Sequence, residues 1–202
     1  MNNINEDYDA YYLHLNQISK IGRLYKRYFT APLMYLAARR FGSAIVEVGS
    51  GIGSGLLGAF PKAVIGLEIN PYAVQYCQNK GLSVDLIQLN QPYPKADGSI
   101  DVCVLDNVLE HISDADFTLN QCLRVTQKNG GLIIAVPGVK GFAADQDHKV
   151  FYDETKLKNL HPEWVMTCSF STPFLIKNNW LSKHIRQYCL VVVYKKSSTY
   201  LS

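Results

Sequence analysis

Several common features are missing from this 202-residue chain, and each absence removes a class of protein. Its five cysteines, Cys77, Cys103, Cys122, Cys168 and Cys189, make an odd count with no C-x-x-C pair. That argues against a disulfide framework and against a cysteine-built metal site, so reduced thiols in apolar runs are expected and no metal ligand set is read. The first residues, Met1-Asn2-Asn3-Ile4-Asn5-Glu6-Asp7, are polar and acidic, with no basic start leading into an apolar stretch. No apolar run approaches the length of a membrane span, so no transmembrane segment is expected and a cytoplasmic location is. Charge of either sign is scarce as well: the net value of +3 is too small to argue for nucleic acid by itself. There is no internal repeat or low-complexity tract, and only the tail from Lys195 to Ser202 reads as frayed.

What is present is apolar and alternating. At 48% hydrophobic the chain is long enough for one well-cored domain and too short for two of typical size. Residues 1–202 are therefore expected to form a single domain, with 1–42 as a helical lid or cap. Over 8–41, Tyr8, Tyr11, Tyr12, Leu15, Ile18, Ile21, Leu24, Tyr25, Tyr28, Phe29 and Leu36 recur at three- and four-residue steps, a helical period interrupted at Gly22 and Pro32. Strands follow at about 44–48, 63–68, 83–88, 100–105 and 131–136, separated by stretches of helical length. Such alternation predicts an α/β fold with a parallel sheet and right-handed crossovers. Two further strands, 164–170 and 188–194, have no long helical signal between them.

Basic residues cluster in two places, Lys20, Arg23, Lys26, Arg27, Arg39 and Arg40 in one and Lys177, Lys183, His184 and Arg186 in the other. The plainer reading is a solvated helix face. The sharper one is an acidic substrate, such as a sugar nucleotide or a lipid phosphate, or a membrane surface.

The densest signal is Ala44-Ile45-Val46-Glu47-Val48-Gly49-Ser50-Gly51-Ile52-Gly53-Ser54-Gly55, a short apolar strand that carries a carboxylate and runs into a glycine-rich turn. Glycines at 49, 51 and 53 let the backbone take positive φ and come close to a ligand, where the next helix offers unpaired N–H groups. Spacing alone leaves two choices. G-x-G-x-x-G counted from Gly49 ends on Ser54, whereas Gly49, Gly53 and Gly55 fit G-x-x-x-G-x-G, the spacing of short-chain dehydrogenases. Glu47 discriminates: a carboxylate two residues before the first glycine repels a pyrophosphate but suits a ligand bearing an ammonium and a sulfonium, as S-adenosylmethionine does.

The stretch E-V-G-S-G-I-G-S-G resembles the first motif of class I S-adenosylmethionine-dependent methyltransferases, and later segments follow in the family's order. Ala63-Val64-Ile65-Gly66-Leu67-Glu68-Ile69-Asn70 ends a strand on an acid nineteen positions after Gly49. Ser99 to Ile112, including Asp106-Asn107-Val108-Leu109-Glu110-His111, is similar to the fourth strand and its turn. Leu123-Arg124-Val125 with Lys128 to Pro137 is similar to the helix, glycine turn and fifth strand that follow. The resemblance covers roughly 44–137. It implies a Rossmann-like, seven-stranded, mostly parallel sheet with an antiparallel C-terminal edge strand and helices on both faces. It also implies S-adenosylmethionine as cofactor. Glu47, Gly49, Gly51 and Gly53 would then hold its methionine end, Glu68 its ribose and Ile69 an adenine face. Asn90 would take the adenine amino group in place of the family's usual acid, and Asp106 and Asn107 would line the cavity near the methionine.

The chemistry so implied is in-line displacement at the sulfonium methyl, for which the protein mainly supplies alignment. A hydroxyl acceptor also needs a base. His148, in a segment Asp147-His148-Lys149-Val150-Phe151-Tyr152 that resembles one placed by the substrate pocket in several members, is the first candidate, with His111 second. Tyr11, Tyr12 and His14 are lid candidates or core packing. No N/D-P-P-Y/F and no Pro-Cys follows strand four, which argues against methylation of nucleic-acid bases and leaves a small-molecule hydroxyl or amine, with a sugar, a lipid or a natural product as candidate acceptors. The chain is thus identified as resembling the small-molecule, type 11 branch of the family. Two alternatives stay open. One is an NAD(P)-dependent short-chain dehydrogenase-like oxidoreductase, for which Tyr152-x-x-x-Lys156 has the right spacing, and the other is a catalytically inactive cofactor-binding partner subunit.

Overall fold

The computed structural model describes residues 20–197. Seven strands form one sheet: β1 (Ile45–Val48), β2 (Val64–Glu68), β3 (Val84–Leu86), β4 (Ile100–Asp106), β5 (Thr126–Pro137), β6 (Trp164–Thr172) and β7 (Cys189–Lys196), in the order β3-β2-β1-β4-β5-β7-β6. The first five pair in parallel. β7 runs antiparallel to both β5 and β6, so the single reversed strand lies one place inside the edge and β6 forms the edge itself. β7 continues to Lys196, past the point where the sequence reads as fraying, because it is paired on both sides. β5 begins at Thr126, before its glycines, and its register against β4 shifts between Ile100 and Val102.

The central strands are buried on both faces, which explains why they read as near-continuous apolar runs. Period-2 alternation still decides which face each side chain covers. Val46, Val48, Cys103, Leu105, Leu132 and Ile134 pack on one side against α5 (Asp116–Val125) and the Leu157 region of α7 (Glu154–Lys158). Ile45, Val102, Val104, Ile133 and Ala135 pack on the other. That second face meets α2 (Ala31–Ala38), α3 (Leu56–Ala59) and α4 (Pro71–Asn79). Four of the five cysteines are buried thiols in this interior, and Cys168, on β6, is exposed.

The N-terminal run differs from its expected form. Helix α1 (Lys20–Tyr25) passes Gly22 without a break and continues through a π-helical turn, Lys26–Thr30, straight into α2. Pro32 sits at the start of α2, where its missing N–H and fixed φ cost little. In the π turn the Ala31 amide donates to the Lys26 carbonyl five residues back, so one extra residue is fitted into the helix. Such insertions rotate the side chains on either side relative to each other and are common at functional sites. Tyr8, Tyr11, Tyr12 and His14 lie outside the described residues.

Helix α6 (Val139–Ala143) follows β5 and helix α8 (Asn179–His184) links β6 to β7. Asn70 at the end of β2 begins α4: its side-chain oxygen accepts from the Tyr72 and Ala73 amides at 2.9 and 3.2 Å, with Pro71 as the first helical residue. Asn70 is fully buried, so removing its cap strands two amides away from water. Asn70→Ala is expected to lower stability by about 1–2 kcal/mol, read as a shift of the urea midpoint with an unchanged slope.

Candidate active site

The order of the strands reverses between β1 and β4, and in an open α/β sheet the crevice beyond the strand ends at that point is where a ligand sits. A cavity of about 470 Å3 opens there, and its lining includes Glu47, Gly49, Ser50, Gly51, Ser54 and Gly55 from the turn after β1, and Asp106, Asn107, Glu110 and His111 from the end of β4. The N-terminal run contributes Tyr25, Lys26 and Thr30, and the segment after β5 contributes Asp145 and His148.

The turn takes the backbone shape that its glycines allow. Gly49, Gly51 and Gly53 have φ of +70°, +52° and +71°. A side chain on Gly49 would also meet Val108 Cγ2 at 2.7 Å. The Gly49 and Ser50 amides donate to the Leu67 carbonyl, which holds the turn against β2. The Ser50 hydroxyl is buried and has no hydrogen-bond partner among the described residues.

Pairing register brings two acids together. Glu47 lies opposite Val104, and two residues further along β4 Asp106 falls on the same face. Glu47 is 2% exposed and accepts from the Leu56 and Leu57 amides at 3.1 and 2.7 Å, so it caps α3 from inside the sheet. Burial and then the Asp106 charge push its carboxyl up to about 7, against the pull of those amides and of Lys26. Asp106 accepts from the Asn107 side-chain amide at 2.9 Å and meets Lys26 Nζ at 3.3 Å. Burial works to lower the Lys26 ammonium, but Asp106, Cys189 and Glu47 together outweigh it and hold Lys26 above its ordinary value. Lys26 belongs to the basic run whose plainer reading was a solvated face. The π turn instead aims it inward, and nothing in the local sequence marks that turn.

Four other expected cofactor residues lie elsewhere. Glu68 is buried at the end of β2, where Oε2 accepts from the Gly51 amide at 2.6 Å and Oε1 from the Ile69 and Asn70 amides at 3.0 and 2.9 Å. Burial raises its carboxyl and these amides partly offset that. It fixes the glycine turn from behind and is not among the groups lining the 470 Å3 cavity. Half-buried Ile69 and exposed Asn90, the latter at φ +57°, are likewise outside that lining. Gly53 faces a second, 400 Å3 hollow together with Leu24, Arg27, Tyr76 and Lys80, and Ser54 borders both spaces.

The opposite wall of the main cavity is made by the two expected histidines and an acid that the sequence reading passed over. Residues 109–111 form one 3-10 turn, and the Lys149 and Val150 amides donate to the Glu110 carbonyl at 2.7 and 3.1 Å. That pairing brings His148 back over the turn: the His111 and His148 rings are 4.7 Å apart, centre to centre. His148 Nδ1 is 2.8 Å from the Phe142 carbonyl, which can only accept, so in the neutral ring Nδ1 carries the proton and Nε2 the lone pair. Nε2 lies 4.0 Å from Glu110 Oε1 and 3.9 Å from Asp145 Oδ2. The Glu110 carboxyl is 1% exposed, neither oxygen has a hydrogen-bond partner among the described residues, and burial pushes it up to about 8. Burial and then the neighbouring His148 hold His111 below its usual value. Glu110 was legible in principle, since it stands next to the histidine already singled out.

Tyr152 and Lys156, whose spacing suited a dehydrogenase, do not line the cavity. Tyr152 packs on the core and Lys156 donates to the Phe151 carbonyl at 3.1 Å.

Comparison with known proteins agrees with this geometry. A methyltransferase-domain family model matches residues 46–134. A probable S-adenosylmethionine-dependent methyltransferase of Mycobacterium tuberculosis, Rv3030, is 30% identical over 115 residues, 55% of this chain and 42% of the relative, so the chain spans less than half the length of that relative. Among solved structures, an S-adenosylmethionine-dependent methyltransferase from Aquifex aeolicus superposes with a TM-score of 0.64 at 16% identity, covering 92% of this chain and 98% of that one. A chain from the Haloferax volcanii complex of a methyltransferase with its activator Trm112 gives 0.69 at 14% identity, covering 94% and 97%. The matched segment runs from within β1 to within β5 and so contains the glycine turn, the acid ending β2 and the whole of β4. With that segment matched and its sheet shared, residues 46–134 are similar to the methyltransferase-domain family and the chain has the fold of S-adenosylmethionine-dependent methyltransferases.

Proposed function

We propose that this chain transfers a methyl group from S-adenosylmethionine to a hydroxyl or amine of a small molecule by in-line displacement. One observation carries the reading: two buried carboxylates, Glu47 and Asp106, share the cavity beside the glycine turn with a single lysine. Glu47 and Asp106 meet one ammonium at close range, that of Lys26, and burial and then the Asp106 charge raise Glu47. A ligand carrying a sulfonium and an ammonium suits these acids, whereas a pyrophosphate would be repelled by them.

Glu47, Gly49, Gly51, Asp106 and Asn107 would hold the methionine end. Glu68 and Ile69 would meet the ribose and adenine from behind the turn, Glu68 through lone pairs its backbone donors leave unused, with Gly53 and Asn90 further out. The N-terminal run would act as the cap of a single-domain enzyme, supported by Tyr25, Lys26 and Thr30 on the cavity wall. On the acceptor side, His148 would activate the nucleophile through its Nε2 lone pair, with His111 beside it. A cavity of about 470 Å3 suits an acceptor of modest size. The acceptor's lone pair forms the new bond to carbon as the S–C pair returns to sulfur, leaving S-adenosylhomocysteine. Holding the two reactants in line is worth about 7–11 kcal/mol of barrier.

Three outcomes are expected. Gly51→Val forces a branched side chain onto φ +52° and disturbs the amide that Glu68 holds, so S-adenosylhomocysteine affinity should fall at least tenfold in calorimetric titration. Cofactor affinity should rise with pH up to about 7 and then level, because the bound cation lowers the carboxyl that sits near 7 in the free protein. Below that point the change is at most about tenfold per pH unit, with one proton released per ligand. Glu47→Gln should bind weakly at every pH, and a pH-independent wild type would remove Glu47 from this role. His148→Ala should leave cofactor affinity within twofold while slowing transfer by about 10²–10⁴, followed as S-adenosylhomocysteine released with a hydroxyl acceptor.

A further inference from the structure

The wall opposite the glycine turn holds more than a pair of histidines. One ligand atom each from Glu110, His111 and His148 lies within 4.8 Å of the others. Glu110 is 1% exposed and neither carboxylate oxygen has a partner among the described residues, while His111 Nδ1 is likewise buried and unpartnered. A buried carboxylate without a donor costs several kcal/mol unless a proton or a cation neutralises it, and a cation can displace that proton. Of the cations on this cavity's wall, Lys26 and Arg186, Lys26 is drawn to Asp106, and neither is seen in an ion pair with Glu110 among the described residues.

We infer that Glu110, His111 Nδ1 and His148 Nε2 bind a divalent transition-metal cation, with Asp145 as a fourth oxygen donor. Two neutral imidazoles and a carboxylate are a ligand set that suits zinc-like and manganese-like ions and leaves a coordination position open to the cavity. Metal–ligand bonds of about 2.0–2.2 Å put neighbouring donors roughly 3–4 Å apart. The 4.0 Å and 3.9 Å separations of His148 Nε2 from Glu110 and Asp145 therefore need only a small inward rotation. A second feature points the same way. His148 donates its other ring nitrogen to the Phe142 carbonyl at 2.8 Å and stacks on the Phe142 ring, the outer contact that fixes tautomer and ring plane for a metal-binding histidine. The Glu110 carbonyl meanwhile anchors the 149–150 backbone, so the elements carrying the three donors are tied to one another rather than free to separate.

The site stands on its own geometry, and its role rests on the proposed methyl transfer. A hydroxyl acceptor coordinated at the open position becomes more acidic, as water does on such ions. Its oxygen lone pair then forms the O–C bond, the S–C pair returns to sulfur, and the hydroxyl proton leaves to solvent at the cavity mouth. His148 thus activates the acceptor through the cation it holds.

The test uses the full chain, stripped with chelator and titrated calorimetrically with Zn2+, Mn2+ and Mg2+, and with Co2+ followed by its visible absorption. The expected result is one equivalent of Zn2+ or Co2+ per chain, Mg2+ binding more weakly, and a Co2+ spectrum of nitrogen and oxygen ligation. Glu110→Gln and His148→Gln should each weaken Zn2+ at least about tenfold while still binding S-adenosylhomocysteine, which certifies the fold. Absence of stoichiometric binding, or binding that survives in both variants, overturns the site. If Zn2+ binds as described but S-adenosylhomocysteine does not bind wild type, the proposed function fails and the metal site stands.

Discussion

Most of this structure is arranged around one electrostatic constraint: two carboxylates, Glu47 and Asp106, are held out of water on the same face of adjacent parallel strands. Neither can be moved cheaply. Glu47 caps α3 through two amides, and Asp106 ends the strand that pairs with both β1 and β5. Buried like charges at such proximity must be neutralised by a proton or a cation. Both devices are at work here, with Glu47 raised towards neutrality and Lys26 reaching in.

Lys26 links that floor to the N-terminal run. It reaches Asp106 from a π turn, between α1 and α2, and α2 buries Met34 and Ala38 on the same sheet face that carries the acids. Through that ion pair Lys26, its side chain 28% exposed, ties the N-terminal run to the buried acids.

The fold was legible in the sequence because strands buried on both sides must be apolar throughout, and glycines at 49, 51 and 53 have few uses apart from positive φ. Strand positions, the parallel order and the reversal at the C-terminal end follow from those patterns and from the resemblance. The gathering of Glu47, Gly49, Gly51, Asp106 and Asn107 on one cavity was legible for the same reason, since all adjoin strand ends. What escaped depends on rotation rather than on residue type. Lys26 looked like a member of a solvated charge run, and only an extra residue in the helical turn brings it inward. Glu68 and Asn90 have the expected chemistry at the expected strand ends, but Glu68 spends hydrogen bonds on the turn's own backbone and Asn90 lies exposed in a loop. Glu110 stood beside a histidine already singled out, but its pairing with His148, thirty-eight residues away, depends on the chain being folded back by two backbone hydrogen bonds.

The two halves of the cavity are set by one short segment. Asp106 ends β4, Asn107 turns the chain with φ +55°, and Leu109 to His111 wind a single 3-10 turn whose Leu109 is buried in the core. Asparagine accepts that left-handed conformation at lower cost than most residues, so the reversal needs no glycine. Asp106, beside the glycine turn, and Glu110, on the wall of the two histidines, are thereby four residues apart on a stretch anchored at both ends. In-line displacement tolerates little error in the separation of its reactants. The Asp106–Glu110 separation is thus a property of local backbone geometry, while β1 with its glycine turn and the loop carrying His148 bring the remaining groups to either side of it.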